Sequence, residues 1–121
     1  MSVIIDYFKN MQATKSCIAG EAVFEVGQPD EVMYAVKSGE VEIYFNGALL
    51  ETAGPGDILG VKSLLDDNPH TTTAIALTDC ELVEINEDKF LLLVHETPMF
   101  SLHIMRLMAK RTRDMMLAAM Q

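Results

Sequence analysis

Apolar and polar residues alternate strictly in the segment 40–45, which is the clearest predicted strand of the chain. The apolar positions are Val41, Ile43 and Phe45, and the polar positions are Glu40, Glu42 and Tyr44. This period of two is typical of a strand with one buried face and one solvated face. Asn46-Gly47 follows directly. Because both residues tolerate positive φ, we predict a type I′ hairpin turn into a return strand, ALLETA.

Short strand-like segments separated by turn residues continue on both sides of this hairpin. Before it come CIAGEAVFEVGQPD and VMYAV, the latter followed by the turn Lys37-Ser38-Gly39. After it, TTTAIAL and ELVEI are joined by the turn Thr78-Asp79. Many short strands at such spacings predict a mainly β fold, an antiparallel barrel or sandwich of jelly-roll (double-stranded β-helix) type over residues 15–86.

Helical periodicity replaces the strand pattern at both ends of the chain. Residues 1–12 are predicted to form a short amphipathic helix, because apolar residues recur at helical spacing. These residues are Ile4, Ile5, Phe8 and Met11. After the last strand, Asn86 is a predicted N-cap for a helix over 87–95 that carries acidic residues in its first turn.

A final helix over 98–121 is predicted to carry two apolar faces. It begins at Thr97-Pro98 as N-cap and first helical position, and at 1.5 Å per residue it reaches roughly 36 Å, more than a barrel of this size covers. One face is a coiled-coil-like seam of Leu102, Met105, Ala109, Thr112, Met116 and Ala119. The other carries Ile104, Leu107, Met108, Arg111 and Met115. We predict that the seam forms a homodimer; the alternative is a helix packed entirely on its own barrel.

Size and composition fit a single domain over 1–121. A chain of 121 residues buries roughly two thirds of its unfolded surface without needing a metal or a disulfide. Cys17 and Cys80 lack a metal-ligand spacing and are interpreted as small buried residues in a reducing compartment. No apolar run is long enough to span a membrane, and Asp6 interrupts the segment where a signal peptide is apolar. We therefore expect a cytoplasmic protein.

The charge is unevenly distributed along the chain. The net charge of −9 argues against a nucleic-acid surface, and residues 1–98 alone carry five lysines against seventeen carboxylates. The last helix is basic, with Arg106, Lys110, Arg111 and Arg113 against Asp114. We expect these residues to be a solvated face or to pair with acidic groups of this or a partner domain. No DNA-reading module accompanies them, so we expect no nucleic-acid binding by this chain alone.

The candidate binding chemistry lies in the stretch 56–76, GDILGVKSLLDDNPHTTTAIA. A glycine-bounded loop, a helical turn and a threonine-rich strand follow one another there. Such an arrangement aims backbone N–H groups at one point, and glycine lets a ligand approach the main chain. We interpret this stretch as an anion cradle.

These segments together resemble the cyclic nucleotide-binding domain of catabolite activator proteins and of the regulatory subunits of cyclic-AMP-dependent kinase. The resemblance covers AGEAVFEVGQPDEVMYAVKSGEVEIY, GPGDILGVKSLLDDNPHTTTAIALTDCELVEI and DKFLLLVHETPMF. It implies an eight-stranded jelly roll that contains a phosphate-binding cassette and is followed by a helix that moves or dimerises on ligand binding. DNA-binding members carry a further domain after that helix, whereas this sequence ends at Gln121.

The cassette departs from the family pattern at two positions that recognise the ligand. The pattern Phe-Gly-Glu-x-Ser/Ala-Leu and Pro-Arg-x-Ala-Thr/Ser corresponds here to LGVKSL and PHTTT. The glutamate that accepts a hydrogen bond from the ribose 2′-hydroxyl falls on Val61, and the arginine that pairs with the cyclic phosphate falls on His70. Losing both costs on the order of 4 to 6 kcal/mol, or three to four decades of affinity. A histidine replaces the charge weakly because it is mostly neutral near pH 7.

Two functional hypotheses follow, and neither is enzymatic. The first is a regulatory module that has lost or weakened binding of cyclic AMP and cyclic GMP, and that acts through dimerisation or a protein partner. The alternative is a sensor of a cyclic nucleotide or another small anionic ligand in the altered cassette. The candidate ligand-binding residues are Gly60, Val61, Lys62, Ser63, Leu64, His70, Thr71, Thr72 and Thr73. The three histidines show no nucleophile or metal spacing, so no catalytic or metal residue is predicted.

Overall fold

A computed structural model of the protein describes residues 11–29, 31–66 and 68–120. The strands in this part of the chain are β1 (Lys15–Cys17), β2 (Ala22–Phe24), β3 (Met33–Ser38), β4 (Val41–Phe45), β5 (Ala48–Ala53), β6 (Ile58–Leu59), β7 (Thr73–Ala76) and β8 (Cys80–Ile85). The helices are α1 (Val61–Asp66), α2 (Glu87–Glu96) and α3 (Pro98–Ala119). The predicted helix over residues 1–12 lies outside the described residues except for its last two positions.

The eight strands form two four-stranded antiparallel sheets. One sheet has the order β1-β8-β3-β6 and the other β2-β7-β4-β5. Strands that are distant in sequence are therefore neighbours, as in a jelly roll, where the two sheets face each other over a common interior. The predicted fold class is confirmed.

Strand β3 of the first sheet is buried on both faces from Met33 to Val36, which the sequence pattern alone did not predict. Along β3, Tyr34 and Val36 point into the space between the sheets, whereas Met33 and Ala35 pack against the helices. All four are at most 2% exposed. Such a strand loses the alternation of apolar and polar residues because neither of its faces meets water. The strand also continues through Lys37 and Ser38, which we had assigned to a turn.

The hairpin between β4 and β5 has the predicted turn. Asn46 and Gly47 have φ angles of 52° and 79°, and a type I′ turn requires positive φ at both positions. The strands pair in register at Phe45 and Ala48, and a bulge follows between Tyr44 and Ile43. Phe45 is half-buried instead of fully buried, which leaves its ring at the edge of the barrel interior.

The helices α2 and α3 begin at N-cap residues that make different hydrogen bonds. The Asn86 side chain accepts a hydrogen bond of 2.9 Å from the backbone N–H of Lys89, which is the predicted N-cap. Thr97 is the N-cap of α3 and Pro98 is its first residue, as predicted, although the Thr97 side chain makes no capping hydrogen bond. Instead the Thr97 carbonyl accepts a hydrogen bond from the N–H of Phe100 at 2.8 Å.

The long helix α3 packs one face on the barrel and exposes the other. Phe100 and Ile104 enter the core that lies outside the first sheet, and Leu107 and Met108 pack at its edge. The 22 residues of α3 span about 33 Å, and on its opposite face large apolar side chains stay exposed. These side chains include Met105, Met116 and Leu117. Within the described residues, no helix is long and apolar enough to cross a membrane.

Candidate functional site

Gly60 brings the start of α1 close to the ring of His70. Its φ angle is +73°, a conformation that residues with a Cβ rarely adopt. A Cβ at this position would lie 3.1 Å from Cε1 of His70 and 3.5 Å from Cε2 of Phe24. Glycine is therefore needed both for the turn and for the close approach of the main chain to these two rings.

His70 is buried against an aromatic residue. It is 4% exposed, and its ring stacks on Phe24 with centroids 3.8 Å apart and an angle of 12° between the planes. Its backbone is held by two hydrogen bonds, from His70 N–H to the Gln28 carbonyl and from Gly27 N–H to the His70 carbonyl. The His70 ring therefore packs between the cassette and strand β2, to which Phe24 belongs.

Val61 and Lys62, which begin α1, face in different directions. Val61 is 1% exposed and packs in the core that lies between the first sheet and the helices. The Lys62 Nζ pairs with the Asp66 carboxylate at 2.9 Å, one helical turn later. The hydrogen bond from Lys62, together with the backbone N–H of Asn68, lowers the pKa of the Asp66 carboxyl. The lysine charge is therefore already engaged at the surface.

A cavity of about 360 Å³ lies between this cassette and the C-terminal half of α3. Six of the nine predicted ligand residues line it, namely Gly60, Val61, Lys62, His70, Thr71 and Thr72. The other three lie elsewhere. Ser63 and Leu64 are buried on the inner side of α1, and the Thr73 hydroxyl accepts a hydrogen bond of 3.1 Å from the N–H of Val26. Whether the six residues bind a ligand stays a prediction.

Arg111 of α3 is the feature of this cavity that sequence reasoning missed. It lines the cavity and is only 9% exposed. Its Nε donates to the Glu51 carboxylate of β5 at 2.8 Å, so the expectation that basic residues of the last helix pair with acidic groups is met here within one chain. Among the described residues, the buried Nη2 of Arg111 has no hydrogen-bond partner. The available signal was a single arginine on an otherwise apolar helix face.

The rest of the helical wall of the cavity is apolar. Met108, Met115, Met116 and Ala119 contribute to it, and Phe45 closes it on the barrel side. Three residues of the predicted dimer seam also line it, namely Thr112, Met116 and Ala119. The same part of α3 therefore forms a wall of the cavity and a part of the proposed seam.

Burial shifts the pKa of three further titratable groups, one on α3 and two in the first sheet. Burial lowers the pKa of His103, which is half-buried on α3. Cys17 and Cys80 are paired opposite each other across β1 and β8, and burial raises the pKa of both thiols. In the described part of the chain, no group of three or more His, Cys, Asp or Glu side chains is placed to hold a metal ion.

Comparison with known proteins identifies the family. The sequence profile described as the cyclic nucleotide-binding domain matches residues 14–97, from the start of β1 to the end of α2. The chain belongs to the cyclic nucleotide-binding domain family. The match covers the barrel and the cassette, and it ends just before α3.

Two named regulators and one solved structure illustrate the relationship of this domain to its family. It is 30% identical over 100 residues to the cyclic AMP receptor protein of Thermus thermophilus, a match that covers 78% of this chain and 46% of the relative. It is 31% identical over 74 residues to the cAMP-dependent protein kinase regulatory subunit of Aspergillus niger, covering 60% and 18%. The crystal structure of the Thermus thermophilus catabolite activator protein superposes with a TM-score of 0.75 and 27% identity, covering 98% of this chain and 56% of the other.

This cyclic nucleotide-binding domain therefore corresponds to only part of each relative. It spans less than half of the length of the two curated regulators. The likeness to the crystal structure includes α3, because 98% of the chain is covered.

Proposed function

We propose that this domain is a non-catalytic regulatory module whose binding of cyclic nucleotides is lost or greatly weakened. The observation that carries the proposal is the state of the two recognition positions in the cassette. Position 61 presents a buried valine, and position 70 presents an imidazole stacked on Phe24 instead of a guanidinium. The relatives that match are a receptor and a regulatory subunit, which supports a regulatory role. A cytoplasmic location belongs to the same proposal.

The energetic consequence follows from the interactions that these two residues do not make. A valine cannot accept a hydrogen bond from a ribose hydroxyl, and the stacked His70 ring lacks the planar fork that binds two phosphate oxygens at once. Two charge-assisted interactions of about 1.5 to 3 kcal/mol each are absent. We therefore expect an affinity for cyclic AMP and cyclic GMP that is lower by roughly three to four decades than the same cassette with glutamate and arginine would give.

The output of the module would pass through α3. Its outer face leaves Met105, Met116 and Leu117 more than half exposed, and methionine suits contacts with surfaces of varied shape. We propose that this face binds a second copy of the chain or a protein partner along the predicted seam. Light scattering at tens of micromolar should give a dimer mass, and Met105→Glu should give a monomer. A monomer mass for the unmodified chain would refute the homodimer.

A second candidate function, the sensing of a different small molecule, is favoured by the cavity beside Arg111. Because α3 forms one wall of this cavity and the cassette forms the other, a bound molecule would contact both elements. Occupancy and the position of α3 would then be linked, since a ligand favours the arrangement that it contacts best.

Thermal unfolding with cyclic nucleotides tests the loss of binding. A ligand present at 100 times its dissociation constant stabilises the folded state by about 2.7 kcal/mol, which corresponds to a shift of roughly 10 °C for a domain of this size. We expect no measurable shift at 1 mM cyclic AMP or cyclic GMP, because the two missing interactions lower the affinity by roughly three to four decades. A clear upward shift with either nucleotide would reject the proposed function.

A further inference from the structure

The two cysteines of the chain lie directly opposite each other on neighbouring antiparallel strands, although they are 63 positions apart in the sequence. Cys17 belongs to β1 and Cys80 to β8, and both thiols are free. Directly opposed residues of an antiparallel pair point to the same face of the sheet, and both cysteines belong to the core between the two sheets. The fold therefore brings the two thiols of the sequence together.

The spacing of directly opposed residues is compatible with a disulfide bond. Their Cα atoms are about 4.5 or 5.5 Å apart, depending on whether they exchange backbone hydrogen bonds, and a disulfide spans Cα distances of about 4.4 to 6.8 Å. The Cβ atoms must approach by roughly 1 Å, because they are closer in a disulfide than in an ordinary opposed pair. Strand β1 is three residues long and lies at the edge of its sheet, so a small shift of β1 supplies this approach.

The reduced thiol of Cys80 is held only by weak hydrogen bonds. Its Sγ lies 3.2 Å from the carbonyl oxygen of Glu40 and 3.1 Å from that of Thr78. A thiol is a weak donor, so little is lost when the side chain turns from these carbonyls towards Cys17. The hydrogen bonds keep the thiol in place without preventing a bond to the opposite strand.

A cavity at the surface gives a small polar oxidant access to both cysteines. It has a volume of about 340 Å³, and Cys17 and Cys80 line it together with polar residues that include Ser38 and Asp79. The cysteines themselves are only 5% and 3% exposed, and burial raises the pKa of both thiols. Since the thiolate is the reactive form, we expect the first oxidation to be slow.

We propose that Cys17 and Cys80 form a redox-sensitive pair, which a peroxide converts to a reversible disulfide between β1 and β8. One thiolate attacks a peroxide oxygen and the O–O bond breaks, which gives a sulfenic acid and, after protonation, water. The second thiol then attacks the sulfenic sulfur, so that the S–S bond forms and a second water leaves. Two thiols are oxidised and one hydrogen peroxide is reduced to two waters. The proposal is independent of the ligand of the cassette.

The opposed register favours the disulfide over further oxidation of either sulfur. Once one cysteine is a sulfenic acid, its partner is already adjacent, and a reaction between adjacent groups proceeds as if the partner were very concentrated. The bond would join the edge strand β1 covalently to the centre of the sheet and close a long loop of the chain. Closing a long loop stabilises the folded state relative to the unfolded state.

The test is treatment of the folded chain with hydrogen peroxide, followed by peptide mapping without reductant. We expect a cross-linked peptide that joins Cys17 to Cys80, has lost two hydrogen atoms without gaining oxygen, and is separated again by dithiothreitol. Sulfinic or sulfonic acids in place of the cross-link, or cross-links between two chains only, would overturn the proposal.

Thermal unfolding of the same oxidised sample, with and without dithiothreitol, measures the effect of the bond. The sample without reductant should unfold at a temperature higher by roughly 10 °C. Peroxide also oxidises methionine, but dithiothreitol is a thiol reductant and methionine sulfoxide is restored enzymatically, so this comparison isolates the disulfide. An equal or lower unfolding temperature without reductant would show that the native strands do not accommodate the bond.

The variants Cys17→Ser and Cys80→Ser are matched controls, because each keeps the size of the side chain and removes one partner. Neither should show the cross-link within one chain or the unfolding difference that dithiothreitol abolishes. A difference that persists in Cys17→Ser would contradict the assignment to this pair. If Cys80→Ser does not fold, Cys17→Ser and the peptide map of the unmodified chain still decide.

Discussion

Breaking the ion pair between Arg111 and Glu51 should destabilise the domain, because this pair links α3 to strand β5. The Nε–Oε1 distance is 2.8 Å, and the two side chains are only 11% and 19% exposed, so solvent screens their attraction little. Removing one partner of a pair buried to this degree leaves the other charge desolvated, which costs about 2 to 4 kcal/mol. We expect Arg111→Met and Glu51→Gln each to lower the free energy of unfolding by an amount of this order.

A double-mutant cycle measured by urea denaturation isolates the interaction. The variant with both substitutions leaves no buried charge unpaired, so its loss should be smaller than the sum of the single losses by about 1 to 2 kcal/mol. The pair of Lys110 and Asp114 on the same helix is a matched control, with a similar distance of 2.7 Å but side chains that are 53% and 27% exposed. Its coupling should be much smaller. If the two single losses sum to the loss of the double variant within roughly 0.5 kcal/mol, the pair does not stabilise the position of the helix.

Three further predictions concern the parts of the fold around the pocket. Asn86→Ala should lower the free energy of unfolding by about 1 kcal/mol because α2 loses its N-cap, and Asn86→Asp should lose little; equal losses in urea denaturation would contradict the cap. Burial lowers the pKa of His103, so the folded state disfavours its protonation, and stability should fall as the pH drops below about 6.5. His103→Gln should flatten this part of the profile; an unchanged profile would refute it. Burial raises the pKa of the Cys17 and Cys80 thiols, so iodoacetamide at pH 8 should modify them slowly in the folded protein and rapidly in urea; equal rates would contradict their burial.

Elements set by neighbouring residues were predictable from the sequence. The hairpin turn needs two adjacent residues that tolerate positive φ, and Asn46-Gly47 supplies both. The N-cap of α2 needs one side-chain oxygen within reach of the first turn, and Asn86 supplies it. In each case the physical cause lies within a few residues of the chain, so no knowledge of the distant packing was required.

The composition of the pocket depended on distant contacts and was predicted only in part. Glu51 and Arg111 are 60 positions apart in the chain, and their pairing follows from where α3 lies on the barrel. His70 was interpreted as a weak substitute cation, yet its ring is stacked on Phe24, 46 positions away. The cassette segment was found from its loop chemistry, but the helical wall opposite it required the tertiary structure.

The most direct test of the proposed function is to restore the two altered cassette residues and to measure the affinity for cyclic nucleotides. Calorimetric titration with cyclic AMP and cyclic GMP would compare the unmodified chain with a variant that carries Val61→Glu and His70→Arg. We predict weak or no binding by the unmodified chain and a gain of at least two decades of affinity in the variant, since two charge-assisted interactions of about 1.5 to 3 kcal/mol each are regained. Tight binding by the unmodified chain would contradict the proposed function. A folded variant that gains no affinity would show that positions 61 and 70 do not cause the loss.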